Sequence, residues 1–397
     1  MRMNSYSPHA FKTKSDSKTF LGLWASGFCY FAAFGLIFPF LPLLLQMSDL
    51  TYAQIGVIYT AGLVFSVLTQ TLWGTLADRV GRRMIIILTT IAVAIISGIY
   101  PYVSSFAQFL LLGCLRYTFL AAATTVTPVL AMDIAGPVTV GKRFGMYRIS
   151  GSLGWIMSTA IDGLISESLG IKTIFYISAI LYLLSAIFVW IFVTEPSSRG
   201  REVSPSIKWT LLIKDKNFLI FLVTVFLVNI PATTFLSFLS LYIKELGGSD
   251  AIIGWAFSIA AVTEVPCMVY LGALSDKIGR KPLLIIALFS YPLRLFLYTV
   301  VSYPYLILPI QLLHGLTFGV LYVASIAFVS DITSESRGTT LGLYNTAYNA
   351  GSAVGSSLGG LIAGGYGLVN MYRFMTAFSF IPALLFAFIA KESLRKR

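Results

Sequence analysis

A ten-residue charged island occurs twice in this chain. Gly74-Thr75-Leu76-Ala77-Asp78-Arg79-Val80-Gly81-Arg82-Arg83 returns as Gly272-Ala273-Leu274-Ser275-Asp276-Lys277-Ile278-Gly279-Arg280-Lys281, an offset of 198 residues (272 less 74) in a chain of 397. Three other features keep that offset: Ile55-Gly56 with Ile253-Gly254, Asp133 with Asp331, and Arg116 with His314. Self-similarity at half the chain length marks an internal duplication and demands a fold made of two like halves.

The residues around the islands decide the medium. Apolar residues make up 57% of the chain and charged residues 11%, against about 25% charged in soluble domains. Runs near 20–45, 53–76, 84–103, 107–132, 144–166 and 173–194, then 218–243, 250–275, 282–302, 304–330, 339–364 and 370–390, have the roughly 20 residues that a helix needs to cross a bilayer. The first run is too long for a signal-peptide core and lacks a cleavage-like site, so it is expected to be retained. The predicted organisation is a tail over 1–19, a six-helix half over 20–194, a polar linker over 195–217, a second half over 218–390 and a basic tail over 391–397. Six crossings per copy are an even number, so the halves run parallel. The fold class expected is all-α and integral to the membrane, with twelve transmembrane helices around a central cavity.

Lysine and arginine predict the sidedness. All but six of the 28 fall in the tails, the linker and the loops on the islands' side. Arg116, Arg148 and Arg294 lie within spans, and Lys172, Lys244 and Arg373 lie at the other side. Basic loops stay cytoplasmic, which puts both termini inside a cell membrane. The same distribution removes nucleic acid as the reason for a net charge of +12. Cys29, Cys114 and Cys267 sit in apolar runs without pair or histidine spacing, so neither a disulfide framework nor a metal site is expected. No cofactor motif is present, and a proton gradient is the expected energy source. The expected partners are a small solute, a proton and lipid, for a chain acting as a monomer.

The pattern G-x-L-[AS]-D-[RK]-x-G-[RK]-[RK], in phase in both halves, resembles the signature loop of the major facilitator superfamily of secondary transporters. That resemblance covers the whole chain and implies a gating role for Gly74, Asp78, Gly81 and Arg82 and for Gly272, Asp276, Gly279 and Arg280. The aspartates can bond backbone amides and cations at helix ends, while the glycines allow a tight turn. Within the superfamily the chain is most similar to the lactose-permease-like proton symporters and their relatives for small aromatic acids. The first span, Phe31 to Pro42, shares their Gly and twin-Pro placement. Arg148-x-x-Gly151-x-x-Gly154-Trp155 on span five matches a substrate-binding motif, and Arg294 with His314 matches an Arg-His pair of binding and proton coupling. Two positions depart from that branch: Thr317 stands one turn after the histidine where an acid is expected, and Leu130 stands in place of a sugar-binding glutamate on span four. Solute and coupling are thereby left open.

Ionisable groups within spans are the remaining site candidates, because each costs a few kcal/mol to insert unless it meets a cavity or a partner. Arg116 lies near mid-membrane on span four, either binding substrate or bonding a neighbouring carbonyl. Arg148, Ser152, Trp155 and Asp162 share one face of span five, where a guanidinium and an indole suit a sugar or an aromatic acid. Arg148 could instead snorkel to the nearby end, and Asp162 could belong to an outer gate. Glu264 is the one acid near the middle of a span and the first candidate proton carrier. His314, with Arg294, is the second, since imidazole titrates near neutrality. Asn229, Gln311, Tyr344, Asn345 and Asn349 are candidate lining.

The expected activity is alternating-access transport of a small organic solute, a sugar or an aromatic acid, by proton symport. The alternative is a proton-coupled drug or sugar exporter. Exporters of the superfamily commonly carry G-x-x-x-G-P-x-x-G-G on span five, and the stretch 150–163 contains no proline. An enzyme is not expected, because no catalytic set, phosphate-cradling loop or added soluble domain is legible.

Overall fold

The structure, a computed structural model, describes residues 14–195, 215–332 and 337–393. Residues 1–13, most of the linker and the last four residues lie outside the described residues, so the expected tails and linker are met only at their margins. Every regular element among the described residues is helical. Helices satisfy all their backbone hydrogen bonds within one segment, the requirement for a chain surrounded by hydrocarbon.

Spans one to three are α1 (Lys14–Met47), α2 (Tyr52–Val80) and α3 (Arg82–Ile99), with α1 starting six residues before the expected edge of the first half. One 64-residue element, α4 (Phe106–Leu169), carries spans four and five. Straight, it would be about 96 Å long. Yet the Tyr100 ring packs 6.2 Å from Phe109 near its start and 5.8 Å from Phe175 just past its end, so the element doubles back on itself. Span six is α5 (Ile171–Phe192), and spans seven to nine are α6 (Lys216–Glu245), α7 (Asp250–Ile278) and α8 (Arg280–Thr299). Span ten is composite, with α9 (Ile307–Ile310), a 3-10 turn (Gln311–Leu313), a π-helical turn (Gly315–Val320) and α10 (Leu321–Ile332) in sequence. Spans eleven and twelve are α11 (Arg337–Tyr366) and α12 (Leu368–Ile389).

Among the described residues, ten of the twelve spans are apolar and long enough to cross a membrane by length and composition alone. The exceptions are the second limb of α4 and α11. Both put small residues against protein instead of lipid. Gly154 meets the span-one backbone at Phe28, and Gly351 and Gly355 meet the span-seven backbone at Phe226 and Ile230. A helix that lines a protein interface does not need a lipid-facing apolar surface.

The duplicated islands fold alike. Gly81 and Gly279, at φ 109° and 108°, turn the chain between spans two and three and between eight and nine. A side chain would strain that backbone region, and glycine does not. Arg82 pairs with Asp78 at 3.1 Å and with Asp133, and Arg280 pairs with Asp276 at 2.5 Å and with Asp331 at 2.9 Å. The repeated Asp133 and Asp331 are thus the second anchors of the repeated arginines. The free amides at the starts of α3 and α8, however, are not taken by the aspartates. Glu195 accepts from Arg82 N and Arg83 N at 2.9 and 2.8 Å, and Glu392 accepts from Arg280 N and Lys281 N at 2.9 and 3.0 Å. A carboxylate there satisfies orphan donors and the positive end of the helix dipole together. All of these bonds stay inside one half.

Contact between the halves gathers at the opposite end from the islands. Gly56 on span two lies against Ser356 and Gly360 on span eleven, and Gly254 on span eight lies against Asp162, Thr159 O and Gly163 on span five. The two members of the repeated Ile-Gly pair therefore make pseudo-equivalent seams. Around them Thr60 Oγ1 bonds Ala353 O and Ser357 Oγ at 2.7 Å, Glu167 accepts from Ala251 N at 3.0 Å, and Ser166 bonds Asp250. This end is sealed, and at the island end Leu68, Leu72 and Leu76 of span two are exposed.

A side chain at Gly56 must part spans two and eleven. Gly56→Leu, in a background with the three native cysteines replaced, is expected to raise labelling of Ala53→Cys by a bulky maleimide several-fold. An unchanged rate would show that the glycine seam does not hold that end closed.

Candidate functional site

Between the halves, open toward the island end, lies a cavity of about 330 Å³. Its wall is largely aromatic. Phe31, Phe34 and Phe38 come from one face of span one, Phe235 from span seven, Phe257 from span eight, Phe318 from span ten and Tyr348 from span eleven. Trp155 packs 5.4 Å from both Phe34 and Phe38, and Phe38 meets Phe257 edge-on at 5.8 Å across the halves. Such rings offer offset and edge contacts to a flat ligand.

Four ionisable side chains break this surface: Arg148 from span five, Glu264 from span eight, Arg294 from span nine and His314 from span ten. Arg294 is almost fully buried and held on several sides. It donates through Nη1 to His314 Nδ1 at 2.8 Å and Thr317 Oγ1 at 2.9 Å, and through Nη2 to Gln311 Oε1 at 2.6 Å. The guanidinium also stacks 4.4 Å over the Phe235 ring, and Gln311 donates on to Tyr298 Oη at 2.9 Å. A guanidinium has only donors, so His314 Nδ1 accepts and the neutral ring carries its proton on Nε2. That nitrogen faces Glu264 Oε2 at 3.8 Å.

Local backbone chemistry sets this cluster. The π turn begins directly after His314, a form often found at functional sites. It aims Thr317 at Arg294, and its two glycines let span eight come close. Gly315 sits against Thr263 O and Cys267, and Gly319 sits against Glu264. Thr317 supplies a hydroxyl to the guanidinium.

On span five, Arg148, Ser152 and Trp155 line the cavity as the helical face predicts, and Gly151 admits the Phe31 ring. Asp162 does not join them. It is fully buried at the sealed end beneath Gly254, with neither carboxyl oxygen bonded to another side chain. Arg116 is also off the cavity. Its guanidinium lies 5.4 Å behind the Phe34 ring among Tyr59, Tyr100, Tyr117 and Tyr182. Asn229 donates to Val225 O at 2.7 Å and lines a separate small pocket with Tyr344. Of the candidate lining, Gln311 reaches the cavity, whereas Asn345 and Asn349 are not in its wall. The island residues stand at the open end, away from it. What sequence reasoning missed is the aromatic wall itself, although Phe31, Phe34 and Phe38 already follow helical spacing.

Residues 22–374 match the model of the MFS_1 like family. A multidrug resistance protein, MdtG, of Salmonella schwarzengrund (strain CVM19633) is 26% identical over 397 residues, covering 96% of this chain and 95% of that protein. Among solved structures, the nucleoside transporter NupG superposes with a TM-score of 0.81 at 18% identity, covering 94% of this chain and 100% of that one. A D-xylose-proton symporter superposes with a TM-score of 0.73 at 16% identity, covering 96% and 99%. The duplicated loop, the twelve-span architecture and a family match over most of the sequence agree: the chain is a membrane transporter of the MFS_1-like family, within the major facilitator superfamily.

Proposed function

We propose that this transporter carries an aromatic organic acid together with a proton, by alternating access, across the plasma membrane. The observation that carries this reading is the position of Glu264, the one acid in the cavity wall, sharing that cavity with Arg148 and lying 3.8 Å from His314 Nε2. An empty site lets Arg148 balance a Glu264 carboxylate. A solute carboxylate that engages Arg148 withdraws that balancing charge, and Glu264 then takes a proton, so solute and proton together add no net charge to the site. Only near-neutral contents cross a low-dielectric barrier cheaply.

In this reading Glu264 carries the proton. His314, its Nδ1 occupied by Arg294, orients Glu264 and does not itself change charge. Trp155, with Phe34 and Phe38, holds the aromatic body. A sugar is less well served, since few hydroxyl-bonding groups interrupt the rings. Both termini are taken as cytoplasmic, because the island end carries most of the lysine and arginine, which makes the sealed-end conformation inward-facing. The islands, paired within their own halves in this conformation, would act when the open end closes.

A second reading has one observation in its favour: MdtG, similar over nearly its whole length, is named for multidrug resistance. A cationic drug would pair with Glu264 directly and displace its proton, which is exchange.

Proteoliposomes with an imposed proton gradient separate the two. The expected result is accumulation of aromatic acids down the proton gradient, lost at least tenfold in Glu264→Gln while solute counterflow persists. Accumulation that survives in Glu264→Gln would sink the coupling assignment, and gradient-driven extrusion of cationic dyes alone would establish exchange. Trp155→Ala should weaken binding of the same acid by about fivefold, the loss of one stacking contact of about 1 kcal/mol, as read by equilibrium dialysis on purified protein. Unchanged affinity would remove the aromatic box from the site.

A further inference from the structure

A second cavity, of about 80 Å³, lies wholly inside the first half, enclosed by spans one, three, four, five and six. Its wall is unlike that of the central cavity. Hydroxyl-bearing Tyr30, Thr90, Thr124 and Thr127 line it, together with Arg148, and no carboxylate among the described residues contributes to it. Phe31 and Arg148 line both cavities, so one ring and one guanidinium form the partition between them. The space admits several water-sized groups.

Two of the hydroxyls have no partner in the protein. Tyr30 Oη and Thr90 Oγ1 are both buried, at 9% and 1% residue exposure, and neither bonds another group. Buried hydroxyls are ordinarily paired, so unpaired ones at a cavity wall are donors awaiting an acceptor. The charge there is positive. Arg148 stands in the wall, and Arg116 lies close enough to Tyr30 to interact with its hydroxyl. A donor-rich chamber with positive potential and no acid in its wall is chemistry for an anionic oxygen group.

We infer that this chamber is the subsite for the carboxylate end of the solute, with the aromatic body left among Phe34, Phe38 and Trp155. The carboxylate passes the Phe31 partition and accepts from Arg148, Tyr30 Oη and Thr90 Oγ1. This inference rests on the aromatic-acid reading above and adds specificity to it: a substrate is an aromatic monocarboxylate with a short linker between ring and acid. Tyr30 and Thr90 are then specificity residues that tell an acid from its neutral analogue.

The test uses the purified full-length protein and two probes, 2-naphthylacetate and 2-naphthylacetamide, with affinities read by isothermal titration calorimetry. The wild type is expected to prefer the acetate by about tenfold. Tyr30→Phe and Thr90→Val, which keep side-chain volume, should each reduce that preference to about twofold or less by weakening acetate binding more than amide binding, because bonds to a charged acceptor are the stronger ones, with an unaltered melting temperature as the check on folding. A wild-type protein that binds both probes equally, or variants that keep the full preference, would overturn the chamber's role and leave the aromatic site standing. Binding of neither probe would overturn the chamber and the aromatic-acid reading together.

Discussion

A guanidinium inside a membrane protein has to find acceptors or pay the desolvation of a full charge, and the centre of this transporter is arranged around how its three intramembrane arginines, Arg116 and Arg294 buried and Arg148 exposed to the cavity, meet that demand. Arg294 meets it with neutral partners, Gln311, Thr317 and His314, and a stacked Phe235. The π turn of span ten is what brings Thr317 into reach. Because the imidazole serves as acceptor to Arg294, its remaining N–H faces Glu264. Arg294 thus fixes the setting of the cavity's one carboxyl without pairing with it. Arg148 stands free to answer either Glu264 or a ligand. Arg116 lies against Phe34 and a group of tyrosines, and it raises the positive potential of the first half.

Opening and closing rest on different chemistry. The sealed end is joined by glycine and serine contacts, with backbone against backbone, where fit is strict and separation exposes little apolar surface. Island-end charges are satisfied locally: each arginine holds two aspartates of its own half, and each glutamate caps the following helix. The two halves are therefore self-contained bodies at that end. The ion pairs that give the islands their shape do not tie one half to the other.

Much of this was legible in the sequence. The offset of the islands gave the two halves, and the apolar runs gave twelve spans within a few residues. The repeated Ile-Gly and Asp pairs turned out to be the seams and the anchors. Arg148, Ser152 and Trp155 met at the cavity because helical spacing alone puts them on one face. Asp162, on that same face, did not, since two more turns carry it out of the cavity into the sealed seam. Arg116 and Asn229, polar groups within spans and so candidates for the cavity, lie off it, because position along a helix does not say toward which neighbour a side chain turns. The π turn left no trace in composition, because its cause is the packing of Gly315 and Gly319 on span eight. Glu195 and Glu392 sit in the linker and the tail with no local signal of their role, since each caps a helix more than a hundred positions away.

The central claim is that solute and proton load one site through Glu264. Calorimetric titration of an aromatic acid, repeated in buffers of different ionisation enthalpy, counts the protons taken up as the solute binds. The account predicts uptake of about one proton per solute in the wild type and none in Glu264→Gln. Binding without proton uptake in the wild type, or the same uptake in the variant, would contradict it.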